Sequence, residues 1–313
     1  MKILLTGGLG FIGKNFLLHR PKDWQVFTLD LIEDEKFQKN CQNCRFWQVD
    51  LTDEPEVKRL AKKMPRFDAC LHLAANGDPA LSVPDPTGDL KSTTLTLINT
   101  CQNFKIKKLI YLSSGAVYEG RRGLVGPKTP IEPILPYAIS HYAAEQYTRF
   151  FQKSGKIKEY LILRFFGAYG PYEPPRKIYT KLVKDFVIEN KKEFLIRGNG
   201  LNLIDAMFVE DAIAGFVKAI KSKKSNLTVD FCQGDHPTIN ELVKTAAEIF
   251  KIKVRIKHQG VVPEYNQFYA STAEFQRLFD FRAKISLKEG ISKLYKFIKS
   301  EIRNPKSETN HKL

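Results

Sequence analysis

The chain has 313 residues, with 50 Lys and Arg against 34 Asp and Glu and a formal net charge of +16. Hydrophobic residues make up 43% and charged residues 27%, a balance that excludes a disordered chain, and no apolar run approaches the roughly 18 to 20 residues of a membrane span. The charge favours anionic partners, but the basic residues are spread rather than blocked, so nucleic acid is not an expected partner.

Short apolar runs rich in β-formers lie at Lys2–Thr6, Gln25–Asp30, Arg45–Val49, Ala69–Leu73 and Lys108–Ser113. The first is followed at once by glycines with no cleavage region, so it reads as a strand and not as a signal segment. Helix-like stretches separate the runs, among them Phe11–His19, Glu54–Lys63 and Thr87–Phe104. This alternation predicts an α/β fold with a parallel sheet covered on both faces, and right-handed crossovers make it doubly wound.

A long helix is expected over Tyr137–Lys153, then a buried strand at Tyr160–Arg164. The prolines of Gly170-Pro-Tyr-Glu-Pro-Pro-Arg176 prevent a ladder or helix there. Beyond this loop the pattern gives helices near Ile178–Asn190 and Val209–Lys221, a strand at Leu227–Phe231, and smaller elements. The expected division is a main domain over 1–170, rejoined by 203–233, and a smaller, partly interleaved lobe over 171–202 and 234–302. In Lys251–Lys257 the basic residues alternate with Ile252, Val254 and Ile256, which reads as a strand with one solvated basic face. From about Arg303 to 313 the chain is polar and is expected to fray.

Five cysteines are present, two of them in a single CxxC at Cys41 and Cys44. No second CxxC or His pair completes a tetrahedral zinc set, and the helix start used by redox CxxC motifs is missing. No metal is expected, and the thiols read as reduced, in a cytoplasmic protein.

Thr6-Gly-Gly-Leu-Gly-Phe-Ile-Gly13 joins the first strand to the first helix. Gly7 suits a turn closed to other residues, a side chain at Gly10 would hold the backbone away from a diphosphate, and Gly13 lets the helix pack on the sheet. The free N–H groups at the helix start, at Phe11 and Ile12, then face the phosphates. Asp30 ends the second strand about 20 residues further on, where a carboxylate accepts both ribose hydroxyls of a dinucleotide. It would repel a 2′-phosphate, so NAD is the expected cofactor; the plainer reading is that Asp30 caps the strand. Asp50 and Leu51 follow the third strand, where adenine should lie, and Leu73, Ala74 and Ala75 close the fourth with small side chains.

The combination of TGGLGFIG, Asp30, Asp50-Leu51, HLAA, SSGAVY and Tyr137-Ala-Ile-Ser-His resembles the extended short-chain dehydrogenase/reductases. Within them the chain is similar to the NAD-dependent epimerase/dehydratase proteins of the UDP-glucose 4-epimerase kind, from Met1 to about Lys299. The resemblance implies a Rossmann fold, a catalytic Ser114 that hydrogen-bonds the reacting sugar oxygen, and a catalytic Tyr137. It also implies a homodimer through the helices at Thr87–Phe104 and Tyr137–Lys153.

The chain departs from the family at several points. Gly115 and Ala116 stand where dehydratases carry an Asp-Glu pair, so that reaction is not expected. His141 replaces the lysine one turn after the tyrosine. A protonated imidazole would lower the tyrosine pKa but loses its charge near its ordinary value of about 6.5, whereas a neutral one would still hydrogen-bond the ribose. Gly167 replaces an asparagine that meets the substrate, and Ile204 replaces an arginine that pairs with its diphosphate. Arg176, Lys177, Lys181 or Arg197 can supply that charge. Glu210 and Asp211 open a helix and read as structural.

The expected activity is therefore epimerisation of a sugar nucleotide by hydride transfer at a sugar carbon. Ser114, Gly115, Tyr137, Gly167 and Arg176 lie toward the substrate, and Tyr137 and His141 toward the cofactor. A 4-keto reductase or dehydrogenase fits the same residues. A non-catalytic NAD-binding regulator is the reading from another class.

Overall fold

A computed structural model describes residues 1–263 and 266–303. Seven strands form its central sheet: β1 Lys2–Thr6, β2 Gln25–Asp30, β3 Cys44–Gln48, β4 Phe67–His72, β5 Ile106–Ser114, β6 Glu159–Phe165 and β7 Leu227–Phe231. Their order is β7-β6-β5-β4-β1-β2-β3, and every neighbouring pair is parallel. The chain therefore reverses its winding between β1 and β4, and the carboxyl ends of those two strands open the crevice where ligands bind in such sheets. Consecutive residues Ile3, Leu4 and Leu5 are all fully buried, as they must be in a strand covered on both faces.

Helices α1 Phe11–His19 and α6 Val209–Lys221 cover one face, where Phe16 and Phe216 pack with Ile3, Leu5 and Phe231. The other face carries α3 Glu54–Ala61, α4 Thr96–Asn103 and α5 Pro136–Lys153, through Val57, Leu97 and Ala144. The short helix α2 Glu35–Lys39 lies between β2 and β3. A third apolar cluster joins Tyr179, Leu182, Phe186 and Phe194 to Leu242, Ile291 and Leu294. Phe275 and Phe279 pack with the first cluster, on the sheet.

The strands and helices read from the sequence are present, with ends moved by a residue or two. The helix expected over Thr87–Phe104 is instead a short helix Pro86–Leu90, a π-helical segment Lys91–Leu95, and α4. Threonine hydroxyls in and beside the π-helical segment bond to backbone carbonyls. Thr94 Oγ1 donates to the Ser140 carbonyl at 2.8 Å and Thr96 Oγ1 to that of Ser92 at 2.8 Å. The stretch Ile178–Asn190 likewise divides into Ile178–Val183 and a π-helical Lys184–Ile188. It ends at Asn190, whose φ of 53° is left-handed.

The basic strand begins only at Arg255, beside Glu193–Arg197, because Lys251 sits in the left-handed region at φ 55°. Its alternation holds all the same: Ile252, Val254 and Ile256 pack inward and the basic residues between them are exposed. The helices Ile239–Ile249, Ala273–Phe279 and Leu287–Arg303 were not resolved by the sequence pattern. The tail expected to fray beyond Arg303 lies outside the described residues.

A buried polar network ties α5 to the sheet. Glu145 is 0% exposed and Arg164, on β6, is 2% exposed. Arg164 Nε and Nη2 donate to the two Glu145 oxygens, each at 2.8 Å, a paired geometry that gives direction as well as energy. Ser113 Oγ on β5 donates to Glu145 at 2.8 Å. Arg164 Nη1 donates to the Tyr118 hydroxyl at 2.8 Å, and that hydroxyl donates to Asp230 on β7 at 2.9 Å. Burial pushes the Glu145 pKa up, but Arg164, with Arg149 and Ser113, more than offsets it and holds the carboxyl below its ordinary value.

Removing one partner of such a pair strands the other charge without water. Arg164→Met should therefore cost about 3–5 kcal/mol of stability in urea unfolding. Lys39→Ala, which breaks the exposed pair with Glu35, should cost less than about 0.5 kcal/mol. Equal costs for the two variants would contradict the role given to the buried pair.

Candidate functional site

The turn after β1 is built from backbone contacts that side chains would disrupt. Gly7 has φ 66°, and a Cβ there would meet Leu73 C and Ala74 N at 2.9 Å. A Cβ on Gly13 would meet Gly7 O at 2.4 Å, so the first turn of α1 lies directly on the loop. Gly8, which the sequence reading did not single out, is equally constrained, with Thr28 Cγ2 at 2.3 Å from its Cβ position.

Gly10 differs. It is exposed, and a Cβ there would meet only Gly7 O, at 3.4 Å. Gly10 is the N-cap of α1, yet no side chain caps the helix and no acidic residue lies in its first turn. The N–H groups at Phe11 and Ile12 thus lie at an open, partly positive helix end, which fits a diphosphate.

Asp30 stands beside this turn. Its Oδ2 accepts the Leu9 N–H at 2.7 Å and its Oδ1 that of Ile32 at 3.2 Å, so the carboxylate braces the glycine loop. Each oxygen keeps a lone pair for a ribose hydroxyl. Burial raises its pKa against these hydrogen bonds. Asp50 Oδ1 accepts from the Thr52 N–H and hydroxyl at 2.8 and 2.7 Å, and the Leu51 carbonyl accepts from Asn99 at 2.9 Å. Thr6 Oγ1 accepts the N–H groups of Leu73 and Ala74 at 3.1 and 3.2 Å, holding the half-buried Leu73–Ala75 segment beside Gly7. That oxygen also lies 2.9 Å from His72 Nδ1. With two N–H groups already accepted, its own proton points at His72, which leaves the hydrogen of that ring on Nε2.

Tyr137 lies in the first turn of α5, behind Pro136. The Ser114 hydroxyl, at the end of β5, interacts with its phenol and also accepts the Ala116 N–H at 3.1 Å. The His141 ring lies one turn on, with its centroid 4.5 Å from that of Tyr137. Its Nδ1 shares a 2.8 Å hydrogen bond with the Tyr111 hydroxyl, while Nε2 is buried and makes no well-formed hydrogen bond among the described residues, the Asn76 backbone lying near the ring without one. Burial drives the His141 pKa down to about 4, although Asp89, Glu145 and the Asn76 backbone pull it up. The site thus lowers the imidazole pKa, and His141 is neutral at pH 7. Tyr137 is pushed up to about 12, chiefly by burial and further by Asp89, Glu119 and Asp78, against the lowering influence of Ser114.

Three residues near this centre carried no signal in the sequence. Asp89 is buried, holds the Asn76 amide at 2.8 Å through Oδ1, and leaves Oδ2 unpartnered among the described residues. Glu119 is buried, accepts only the Leu135 N–H at 3.4 Å among the described residues, and is raised by burial to about 7. Tyr111 lies inside an apolar strand, where nothing distinguishes a tyrosine that bonds a distant histidine from one that fills core.

The remaining predicted residues are more scattered. Gly115 is buried, and a Cβ there would meet the Phe166 ring at 3.0 Å. Gly167 has φ 144°, a conformation that an asparagine would rarely adopt. Ile204 packs with the third apolar cluster. Arg176 Nε pairs with Asp78 at 2.6 Å, and Lys177 Nζ donates to the Gly77 carbonyl at 2.9 Å. These two contacts strap the proline-rich loop to the loop after β4. Lys181 pairs with Asp185, and Asp211 accepts the N–H groups of Lys284 and Ile285 at 2.8 and 2.7 Å, a structural role. No group of three or more metal-ligating residues occurs among the described residues.

The open turn at Gly10, the uncapped helix end and the unpartnered His141 Nε2 all fit a dinucleotide lying from Asp30 to Tyr137. The sequence profile described as the NAD dependent epimerase/dehydratase family matches residues 3–230. Among curated proteins, the chain is 24% identical to the dTDP-D-glucose 4,6-dehydratase of Homo sapiens, over 98% of this chain and 92% of that one. It is also 24% identical to the UDP-glucuronate 4-epimerase of Thermodesulfobacterium geofontis, over 97% and 98%. Among solved structures, the UDP-glucose 4-epimerase of Thermotoga maritima with UDP-glucose superposes with a TM-score of 0.85, at 24% identity over 96% of this chain and 100% of that one. The UDP-glucuronic acid 4-epimerase of Bacillus cereus with UDP-glucuronic acid and NAD gives 0.85, at 23% identity over 96% and 99%.

Two measurements check this geometry. Gly10→Ala should fold with a loss of no more than about 1 kcal/mol, the ordinary difference at an N-cap, yet weaken NAD binding by about ten-fold or more by calorimetry. Gly13→Ala should fail at folding itself. In nitrogen-detected NMR the His141 ring should stay neutral at pH 6, where an unperturbed imidazole of pKa about 6.5 is mostly charged. It should charge only as the pH approaches about 4. A charged His141 at pH 6 would refute the buried, neutral state.

Proposed function

The chain belongs to the NAD dependent epimerase/dehydratase family, and on that premise we propose that it is an NAD-dependent sugar-nucleotide epimerase. Bound NAD supplies a reversible hydride acceptor. The observation that carries the proposal is the convergence of Ser114 and Tyr137 at the carboxyl end of β5, in front of an open diphosphate turn.

In this reading Ser114 and Tyr137 hold the reacting sugar hydroxyl between two hydroxyl groups. Tyr137 takes its proton as the carbonyl forms and returns it when the hydroxyl is restored. A phenol raised to about 12 is a poor base without help. A cofactor that brings positive charge near the ring would lower it, against the raising effect of burial. His141 Nε2 would hold a ribose hydroxyl as a neutral partner, so it orients the cofactor without supplying the charge that a lysine would. Gly115 and Ala116 form a tight helical turn with no carboxylate, which disfavours elimination of water. The same residues fit a 4-keto reductase or a dehydrogenase.

Residues 1–170 with 203–233 are read as the dinucleotide domain. The sugar end would then lie against 171–202 and 234–302, near Gly167 and Arg176. Arg176 would have to leave Asp78 to meet a substrate phosphate; at 53% side-chain exposure it is free to do so. A homodimer is supported by exposed apolar residues on α5, with Ile139, Tyr147 and Phe150 at 46%, 42% and 57%. A cytoplasmic setting is consistent with five free cysteines, and no described helix is long and apolar enough to cross a membrane.

The neutral His141 and the raised Tyr137 favour a second reading, a protein that binds NAD and senses it without turnover. The two separate on one assay. With UDP-glucose and UDP-glucuronic acid as first substrates, the natural chain should interconvert C4 epimers. Tyr137→Phe should lower turnover by about 10²–10⁴-fold, the ordinary worth of a positioned proton-transfer group, with bound NAD unchanged. An inactive natural chain that gains activity on His141→Lys would support the sensor instead.

A further inference from the structure

We infer that Cys41 and Cys44 form a reversible dithiol–disulfide site, in which Cys44 is the attacking thiol, Cys41 the resolving thiol, and Arg20 the counter-charge of the Cys44 thiolate. The site lies at the amino end of β3, opposite Val26, away from the dinucleotide crevice, and does not depend on the proposed activity.

Arg20 carries the argument. It is 2% exposed, and among the described residues no carboxylate pairs with it. Nη1 donates to the Leu17 carbonyl and Nη2 to that of Gln42, while Nε has no partner among the described residues. The remaining contact is from Nη2 to Cys44 Sγ, at 3.0 Å. A buried guanidinium cannot lose its proton, so an anion beside it is strongly favoured. The sulfur is the group positioned to become one.

The pair also has the geometry to close. Cys41 and Cys44 bracket a turn at Gln42 and Asn43, where Asn43 has φ 55°. A four-residue turn holds its end Cα atoms within about 7 Å, and a disulfide spans about 4.4–6.8 Å. The Cys44 thiol donates to the Gln42 carbonyl inside that turn at 3.3 Å, and the two thiols are near enough to shift each other's pKa. Both are half-buried and so reachable, whereas Cys70, Cys101 and Cys232 are buried. The Cys41 thiol, and then Arg20 and Lys22 working against burial, bring Cys44 down to about 7, while the Cys44 thiol and burial push Cys41 up.

With glutathione disulfide as oxidant, the Cys44 thiolate attacks one sulfur, the glutathione S–S bond breaks, and one glutathione thiolate leaves and takes a proton. Cys41 then loses its proton and attacks Cys44 Sγ, and the second glutathione thiolate leaves and is protonated. Two electrons pass from the cysteines to glutathione. Because oxidation removes the anion from beside Arg20, the reduced pair is favoured and the disulfide reduces readily.

The test uses the full chain in glutathione buffers, quenched with acid, alkylated, and read by mass spectrometry of the tryptic peptide Asn40–Arg45. The expected result is loss of two hydrogens from that peptide, reversed by dithiothreitol, with Cys70, Cys101 and Cys232 still reduced. Cys41→Ser should stop at a glutathione adduct on Cys44. Iodoacetamide at pH 7 should modify Cys44 about ten-fold or more faster than Cys41, since the thiolate is the nucleophile. Two alkylatable thiols in this peptide after fully oxidised glutathione, or equal iodoacetamide rates at the two positions, would overturn the assignment.

Discussion

The ion pair between Glu145 and Arg164 is the constraint on which the rest of the structure depends. It joins the middle of α5 to β6 in a place with no water. Ser113, Tyr118 and Asp230 extend it to β5 and β7. A helix resting on apolar contacts alone can slide or roll at small cost, whereas a paired guanidinium and carboxylate tolerate little of either. His141 lies one turn before Glu145, and Tyr137 one turn before that. The three side chains share a stripe of the helix, so fixing Glu145 beneath the sheet fixes the direction of the phenol above its edge.

The burial that makes this pair strong also sets the state of His141 and Tyr137. Burial disfavours charge on His141 and on Tyr137 alike, so the isolated site holds a neutral imidazole and a neutral phenol. Two imidazole nitrogens, on His72 and His141, and one oxygen of Asp89 are buried without partners among the described residues. Each unmatched group costs free energy in the folded chain. At position 141 a neutral imidazole leaves the site without a positive charge.

Positive charge is handled in two ways. Most of the excess sits on solvated faces such as that of Lys253, Arg255 and Lys257, where it does little beyond solubility and long-range attraction. Arg20 and Arg164, like Lys14 and Lys108, are buried, and the two arginines are matched to particular sulfur and oxygen atoms. The one turns a plain CxxC into a polarised pair; the other locks the fold.

What the amino-acid order alone determined was whatever depends on neighbours within about one turn or one strand. The alternation of β-runs and helices gave the doubly wound sheet, and the spacing of Gly7, Gly10 and Gly13 with Asp30 gave the dinucleotide crevice. The spacing of Tyr137 and His141 put their rings side by side on one helix. Tertiary structure decided the rest, because it rests on contacts between distant segments. The protonation of His141 depends on its depth below the surface and, against that, on Asp89 and the Asn76 backbone, which come from distant segments. The pairing of Arg176 with Asp78 spans 98 residues. The bond from Thr94 to the Ser140 carbonyl joins the π-helical segment to α5, and the polarity of Cys44 comes from an arginine at the end of α1. Periodicity records which face of an element turns inward, but electrostatic state is set by what meets that face, and only the folded chain brings those groups together.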